Sequence, residues 1–186
     1  DMLDGYVSAI SDLRFRIKDI DSSLLAMGRT TDKENQNTVA MVGVSCDMLN
    51  ILIINRNLPV MARAVALGEP DSNILKDHYH SVVRKHINAR FSENEEIGSL
   101  IETITAEMRA SLNYFNTNNN SHISGVNLMG FGTRLVGLKE RLDNIFSVPV
   151  VFTKAYNNII SNSNVKNDYA VDYAVCCSLA VRGLKR

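Results

Sequence analysis

One stretch of the sequence places an apolar run, a glycine-rich turn and a helical repeat in direct succession, and this order strongly limits the fold. The apolar run is ISGVNLM, residues 123–129, and GFGTR follows at residues 130–134. The pattern LVGLKERLDNIF, residues 135–146, then has the apolar spacing of an amphipathic helix. Strand, glycine turn and helix in this order are typical of α/β proteins that hold a nucleotide at the turn. The question is whether this turn binds a nucleotide or only keeps the backbone shape.

Three strands are predicted ahead of this turn, at residues 38–44, 48–56 and 60–68. Their sequences are TVAMVGV, MLNILIINR and VMARAVALG, which are apolar and rich in β-branched residues or alanine. Short turns separate them, and the second of these turns is NRNLP. Consecutive strands joined in this way predict an antiparallel meander. In the third run Val60 and three alanines alternate along one face, while Arg63 interrupts the opposite apolar face.

Helical spacing dominates most of the remaining chain. The first 28 residues predict a helix, a short strand RIKDI at residues 16–20, and a second short helix that begins with Asp-Ser-Ser. Residues 71–91 predict a helix that begins with an Asp-Ser cap, and residues 93–117 predict a longer one. The longer helix has one apolar stripe, which consists of Ile97, Leu100, Ile101, Ile104, Met108, Leu112 and Phe115.

The segment after the glycine turn completes an alternation of strands and helices. VPVVFT at residues 148–153 predicts a strand, residues 157–168 an exposed polar loop, and residues 169–185 a terminal helix. The order is β-β-β-α-α-β-α-β-α after a short helical lead-in. It predicts an α/β fold in which helices flank a mixed sheet, with an antiparallel three-strand meander plus parallel strands.

Composition excludes several classes of protein. Lys and Arg together number 20, as do Asp and Glu, so the formal net charge is zero and nucleic acid is not an expected partner. The three cysteines, Cys46, Cys176 and Cys177, lack the spacing of a zinc or redox motif and are expected to be reduced and mostly buried. No apolar run reaches the ~18 residues of a membrane span. Neither a Ser/His/Asp set nor a carboxylate pair is evident.

Several segments, in order, resemble the type IV pilus assembly protein PilM family. They are ITAEMRASLNYF, VNLMGFGTRLVGLKERLDNIFSVPVVF and DYAVCCSLAVRGL. In that family a helix with Glu-x-x-x-Ser-Leu-x-Tyr precedes a glycine-rich turn, a Leu-x-Gly-Leu helix, a Val-Pro-Val strand and an alanine-rich helix ending in Arg-Gly. The matching residues here are Glu107, Ser111, Leu112, Tyr114, Gly130, Gly132, Leu135, Gly137, Leu138, Val148, Pro149, Val150, Ala180, Arg182 and Gly183.

The resemblance implies the second lobe of an actin-like (RNase H-like) fold. RIKDIDSSLLAMGR resembles the family's crossover into that lobe, and the predicted meander resembles its phosphate-loop hairpin and third strand. Residues 1–30 would then be the crossover segment entering the lobe, and residues 31–186 the lobe itself, as a fragment of a longer protein. The cytoplasmic domain of the type II secretion protein GspL shares this ancestry and is the nearest alternative.

The first nucleotide loop of active actin-like ATPases is a hairpin with Asp-x-Gly-x-x-x-Thr. The acid positions a metal-bound water, and the glycine lets the backbone approach the phosphates. In this sequence the acid position falls on Val42, the glycine position on Val44, and the threonine region on Asp47 and Met48. No shift of register restores the acid, and Ser45 remains as a polar contact. The chemistry of phosphate transfer is therefore predicted to be lost.

The second nucleotide loop of that family has consecutive glycines that lie against the adenosine. Here Gly130 and Gly132 remain, with Phe131 between them. One interpretation is a degenerate adenosine shelf assisted by Glu107 and Arg109. The other, which we favour, is a strand-to-helix turn that needs glycine for its backbone angles, with Phe131 filling the old pocket. The degenerate nucleotide-binding set is Ser45, Asp47, Glu107, Arg109, Gly130, Phe131, Gly132 and Thr133, with no catalytic residue and no metal ligand.

The resemblance implies a scaffold and not an enzyme, with no required cofactor. The alternative is a conformational switch that binds ATP and magnesium. The implied partners are other inner-membrane assembly proteins of a pilus or secretion system and, through them, a motor ATPase. The implied location is the cytoplasmic side of the bacterial inner membrane, with any membrane tether outside this sequence. Partner contacts are predicted at Leu3, at Tyr6 and across residues 78–90, where exposed or partner-facing histidines His78, His80 and His86 cluster.

Overall fold

The computed structural model describes residues 1–31, 37–83, 95–153 and 171–184. These ranges contain six α-helices and five β-strands. The helices are α1 Met2–Asp12, α2 Ser23–Met27, α3 Glu69–Val83, α4 Glu95–Asn118, α5 Leu138–Ile145 and α6 Ala174–Leu184. The strands are β1 Thr38–Val44, β2 Met48–Asn55, β3 Leu58–Ala66, β4 Gly125–Met129 and β5 Val150–Phe152. Short 3-10 turns cover Gly28–Thr30 and Phe131–Arg134.

The five strands form one mixed sheet in the order β3-β2-β1-β4-β5. β1, β2 and β3 pair in antiparallel fashion, which confirms the predicted meander. β4 joins β1 in parallel, and β5 joins β4 in parallel. β1 is the central strand, and all seven of its residues are buried. The predicted fold class is confirmed.

Helices cover both faces of this sheet. On one face α3, α4 and α5 pack over alternate β1 residues, including Val42 and Val44, and the whole predicted stripe of α4 is buried there. On the other face α2 and α6 pack over Met41, Leu52 and Met129. Each face therefore has its own apolar core, which is why the central strand is a continuous apolar run without polar alternation.

One predicted strand is absent, and the start of one helix and the end of another differ from prediction by one or two residues. Residues 16–20 form no strand, because no strand in the described part of the chain lies beside them to complete a ladder. α3 begins at Glu69 and not at Asp71, because Pro70 is well suited to the first turn of a helix. α4 continues to Asn118, where the Asn118 side chain donates to the carbonyl of Tyr114.

The cysteine prediction was partly right. All three thiols are free, but none is buried: Cys46 and Cys177 are half-buried and Cys176 is exposed. Among the α6 side chains that the structure describes, Ala174 and Ser178 are buried, four residues apart, so the two adjacent cysteines lie off the face that contacts the sheet. The predicted loop at residues 157–168 lies outside the described residues. None of the helices in the described ranges combines the length and hydropathy that crossing a membrane requires.

Candidate nucleotide site at the glycine turn

The two loops singled out by the sequence meet at one edge of the sheet. β1 and β4 are parallel neighbours, and Gly43 is paired with Met129. The hairpin after Val44 and the turn after Met129 therefore leave the sheet side by side. The edge formed by the carboxyl ends of parallel strands is where open α/β sheets bind ligands. The groups at this edge are therefore the ones that a nucleotide could reach.

Gly130 begins the turn in a conformation that only glycine adopts without strain. Its φ is 86° and its ψ is 152°. A Cβ at this position would lie 2.6 Å from the carbonyl oxygen of Val44. Its N–H donates to the carbonyl of Val171, ahead of α6, at 2.9 Å. The glycine is thus explained by contact with neighbouring backbone.

Gly132 is required by the side chain of Val44. A Cβ at Gly132 would lie 2.5 Å from Val44 Cγ1 and 3.0 Å from Leu75 Cδ2. Val44 is 1% exposed, so its isopropyl group is enclosed by the turn and by α3. Val44, which the resemblance aligns with a phosphate-loop glycine, therefore packs directly against the glycine turn.

The remaining residues of the turn are engaged within the chain. The buried Thr133 hydroxyl donates to the carbonyl of Gly130 at 2.6 Å, and the Thr133 N–H donates to the same oxygen at 3.1 Å. The Phe131 ring lies 5.0 Å from the Tyr79 ring of α3, at an interplanar angle of 58°. This tilted aromatic pair is a favourable geometry. Phe131 is half-buried and packs against the core on this face of the sheet.

The hairpin between β1 and β2 closes on itself. Ser45 donates its N–H and its hydroxyl to the carbonyl of Met48, at 3.0 and 3.1 Å, and the hydroxyl lies 3.2 Å from Asp47 Oδ1. The Asp47 side chain is exposed. Burial raises the pKa of the Cys46 thiol, and the negative charge of Asp47 raises it further. The positive charge of Lys76 opposes this increase. The polar groups of Ser45 therefore stabilise the hairpin.

Glu107 and Arg109 are not brought to the glycine turn. The Glu107 carboxylate lies 2.6 Å from a guanidinium nitrogen of Arg63 on β3, and Arg63 also donates to Ser111 Oγ at 2.8 Å. β3 is separated from β4 by β2 and β1. Arg109 is exposed, two residues from Glu107 and therefore ~200° around the helix. Of the eight predicted residues, the structure assembles the hairpin and turn residues and leaves these two apart.

Three charged or titratable residues lie beside the turn but were not predicted from the sequence to belong to the site: Arg134, Asp172 and His78. Arg134 Nε lies 2.7 Å from Asp172 Oδ1, and the Asp172 side chain is 10% exposed. Burial raises the pKa of Asp172 above its ordinary value, although the charge of Arg134 and a hydrogen bond from it oppose this. His78 on α3 is 6% exposed, so the expectation of exposed histidines was wrong for this residue. Burial, and then the charge of Arg134, lowers the pKa of His78.

His78 should make the stability of the protein sensitive to mild acid. Its pKa in the folded state lies below the unfolded value of 6.5. The contribution of the neutral imidazole to the free energy of unfolding is therefore fully present above pH 6.5. It is lost as the pH falls through the lower pKa of the folded state. We expect the free energy of unfolding to decline below this pH, and the decline to become shallower in His78→Gln. Urea unfolding at a series of pH values measures it, and His80→Gln, at an exposed position of α3, is the matched control.

A metal ion has no ready site in the described ranges, where no group of three or more His, Cys, Asp and Glu side chains could hold one. His80 is exposed on α3 while His78 faces the core, as the separation of two residues on a helix predicts. His86 lies outside the described residues. Among the described residues, the polar groups at this edge of the sheet include those of the hairpin and turn, His78 and the Arg134–Asp172 ion pair.

Comparison with known proteins identifies the fold through solved structures and not through sequence matches. No protein-family model and no curated protein matches the sequence. The solved PilM-PilN type IV pilus biogenesis complex matches with a TM-score of 0.73 and 17% identity, over 99% of this chain and 58% of the matched chain. MreB 5 of Spiroplasma citri bound to AMPPNP matches with a TM-score of 0.52 and 12% identity, over 88% of this chain and 58% of that one. This chain thus spans 58% of the length of each, and its fold is that of the actin-like ATPases.

Proposed function

We propose that this chain is a non-catalytic, actin-like scaffold lobe of a type IV pilus assembly machine. It acts by protein–protein contact on the cytoplasmic side of the bacterial inner membrane. Support for the pilus assignment comes from the likeness to a chain of the PilM-PilN complex along almost the whole described fold. Because this chain spans 58% of that one, we further propose that residues 31–186 are the second lobe of a longer protein, with residues 1–30 as the crossover segment.

The observation that carries the non-catalytic assignment is the contact between Val44 and the glycine turn. A nucleotide needs free backbone at these loops, and here a valine side chain fills the space above Gly132. The N–H of Gly130 is bonded to Val171, and the hydroxyls of Ser45 and Thr133 are bonded within their own loops. A bound phosphate would have to break these bonds without an acid at Val42 to organise a metal-bound water. The glycines therefore have a complete structural explanation.

The partner we propose is an inner-membrane assembly protein of a pilus, and a motor ATPase would be reached through it. The intact protein, tagged and co-expressed with the PilN-like protein of the same genome, should co-purify with it after detergent extraction of the membranes. Retention should be equal with Mg-ATP and after removal of nucleotide, because a scaffold needs no cofactor for docking. Failure to retain the pilus protein, or retention of a GspL-pathway partner in a parallel co-expression, would move the assignment to type II secretion.

The second candidate is an ATP-dependent switch, which retention of Gly130 and Gly132 favours. A ligand at 100 times its dissociation constant stabilises a protein by about 2.7 kcal/mol, which is visible as a rise in melting temperature. We expect the melting temperature of the intact protein to be the same with and without millimolar Mg-ATP. A concentration-dependent rise with Mg-ATP, absent with the same concentration of magnesium chloride, would establish the switch and remove the scaffold proposal.

A further inference from the structure

β3 has an open edge along its outer side. In the described part of the chain it pairs with β2 alone, at the end of the five-stranded order. β3 is nine residues long, and Leu58, Val60 and the alanines at 62, 64 and 66 are exposed. An edge of this length presents a row of backbone donors and acceptors with which another extended chain can pair.

The register shows which backbone groups point outward. The N–H of Leu67 donates to the carbonyl of Asp47 at 2.9 Å, so the groups of Leu67 face β2. Hydrogen-bonded pairs alternate along an antiparallel ladder, so Val65 and Arg63 also face β2 through their pairs with Leu49 and Ile51. The N–H and C=O groups of the alanines at 62, 64 and 66 therefore point away from the sheet.

Two of the devices that usually prevent strands from adding lie at the start of β3, ahead of residues 60–66. Such devices are charged side chains, proline and bulges. Pro59 and the register shift opposite Ile53 and Ile54 lie at the start of β3, before the open segment. The single charged residue between 60 and 66 is Arg63, which is paired with Glu107, 2.6 Å away. Three of the exposed side chains along residues 60–66 are those of alanines.

We propose that β3 pairs antiparallel with β3 of a second copy of this chain, about a two-fold axis through Ala64. Ala64 then faces Ala64 of the second copy, and Ala62 faces Ala66 of the second copy on both sides of the axis. These three residue pairs supply about six backbone hydrogen bonds, two from each pair. The two sheets become one continuous sheet, and the open edge is removed in both copies.

Charge and symmetry favour a second copy as the occupant. The formal net charge of the chain is zero, so two copies do not repel each other. The facing alanines allow close approach of the two backbones. The alternation of outward groups at 62, 64 and 66 is symmetric about Ala64, so the same strand satisfies itself without a shift in register. An isologous contact of this kind closes at the dimer and leaves no further edge at β3.

Charge substitutions at Ala64 test the pairing. Because the Ala64 side chain is exposed, these substitutions should leave the fold intact. Sedimentation velocity of the wild-type protein over a range of concentrations should show a reversible monomer–dimer equilibrium. Ala64→Lys and Ala64→Glu each place like charges directly opposite across the axis, and each should weaken dimerisation at least about tenfold. An equimolar mixture of the two variants should recover the dimer, and high salt should reduce that recovery. Ala64→Val, which keeps the backbone N–H and adds no charge, should dimerise like the wild type.

Three results would overturn the proposal. One is a wild-type protein that remains monomeric at every concentration. Another is a dimer that Ala64→Lys leaves unchanged, because the contact would then lie elsewhere. The third is a mixture of the Lys and Glu variants that stays monomeric while both retain the wild-type melting temperature. None of these outcomes bears on nucleotide binding, so this inference stands or fails independently of the proposed scaffold function.

Discussion

Gly130→Ala is expected to destabilise the protein by at least about 3 kcal/mol. The backbone angles at Gly130 belong to a region that residues with a Cβ almost never occupy, and the new methyl group would lie 2.6 Å from the Val44 carbonyl oxygen. Backbone atoms cannot rotate away as a side chain can, so the turn itself would have to shift. Urea unfolding followed by circular dichroism measures the loss. Gly98→Ala, at a glycine of α4 whose Cβ would meet no atom within 4 Å, is the matched control.

The same experiment at Gly132 separates a packing role from a ligand-binding role. Its Cβ would collide with the Val44 side chain, so Val44→Ala should relieve part of the cost of Gly132→Ala. We expect a coupling free energy of about 1 kcal/mol or more in the double-mutant cycle. Val44→Ala should give no such relief for Gly130→Ala, where the collision is with backbone. Equal coupling in both cycles, or none in either, would contradict the contact described here.

Val42→Asp should be at least as damaging, although it restores the acid of an active phosphate loop. Val42 is fully buried in the core formed with α3 and α4, between Ile51 of β2 and Leu128 of β4. An unpaired carboxylate there costs about 3–5 kcal/mol or forces the protein to unfold. The packing around Val42 therefore disfavours a carboxylate at this position.

The pH dependence of the Val42→Asp variant identifies the cause. Burial raises the pKa of a carboxyl group, so the penalty should shrink as pH falls and the new side chain becomes protonated. Val42→Thr, which is nearly isosteric and uncharged, should cost less at neutral pH and should lack this recovery. An Asp variant as stable as the wild type at neutral pH would mean that the Val42 position is open to solvent or to a cation.

Elements with a strong local period were predictable from sequence. The stripe of α4 from Ile97 to Phe115 repeats at helical spacing and is buried as expected. The three strands of the meander are apolar runs separated by short turns, and their antiparallel pairing follows from those turns. The resemblance aligned Val44 with a phosphate-loop glycine, but only the structure shows that the Val44 side chain packs on Gly132.

Features that depend on a distant partner were not predictable. Residues 16–20 alternate like a strand, but a strand forms only where a neighbouring strand completes its hydrogen bonds. The Arg134–Asp172 ion pair joins positions far apart in sequence, with no local signal. The error at His78 was of a different kind, because its burial could have been predicted. His78 lies three residues after the buried Leu75, and this spacing places both on the face of the helix that contacts the core. Arg63 interrupts an apolar face, but the sequence did not identify Glu107 as its partner.

The most direct test of the central claim is a crystal structure of the intact protein soaked with millimolar ATP and magnesium. We expect Val44 to stay against Gly132, the Ser45 hydroxyl to stay bonded to the Met48 carbonyl, and no ordered phosphate to lie between the hairpin and the glycine turn. Ordered phosphates beside Ser45, with the Val44 side chain displaced from the turn, would contradict it.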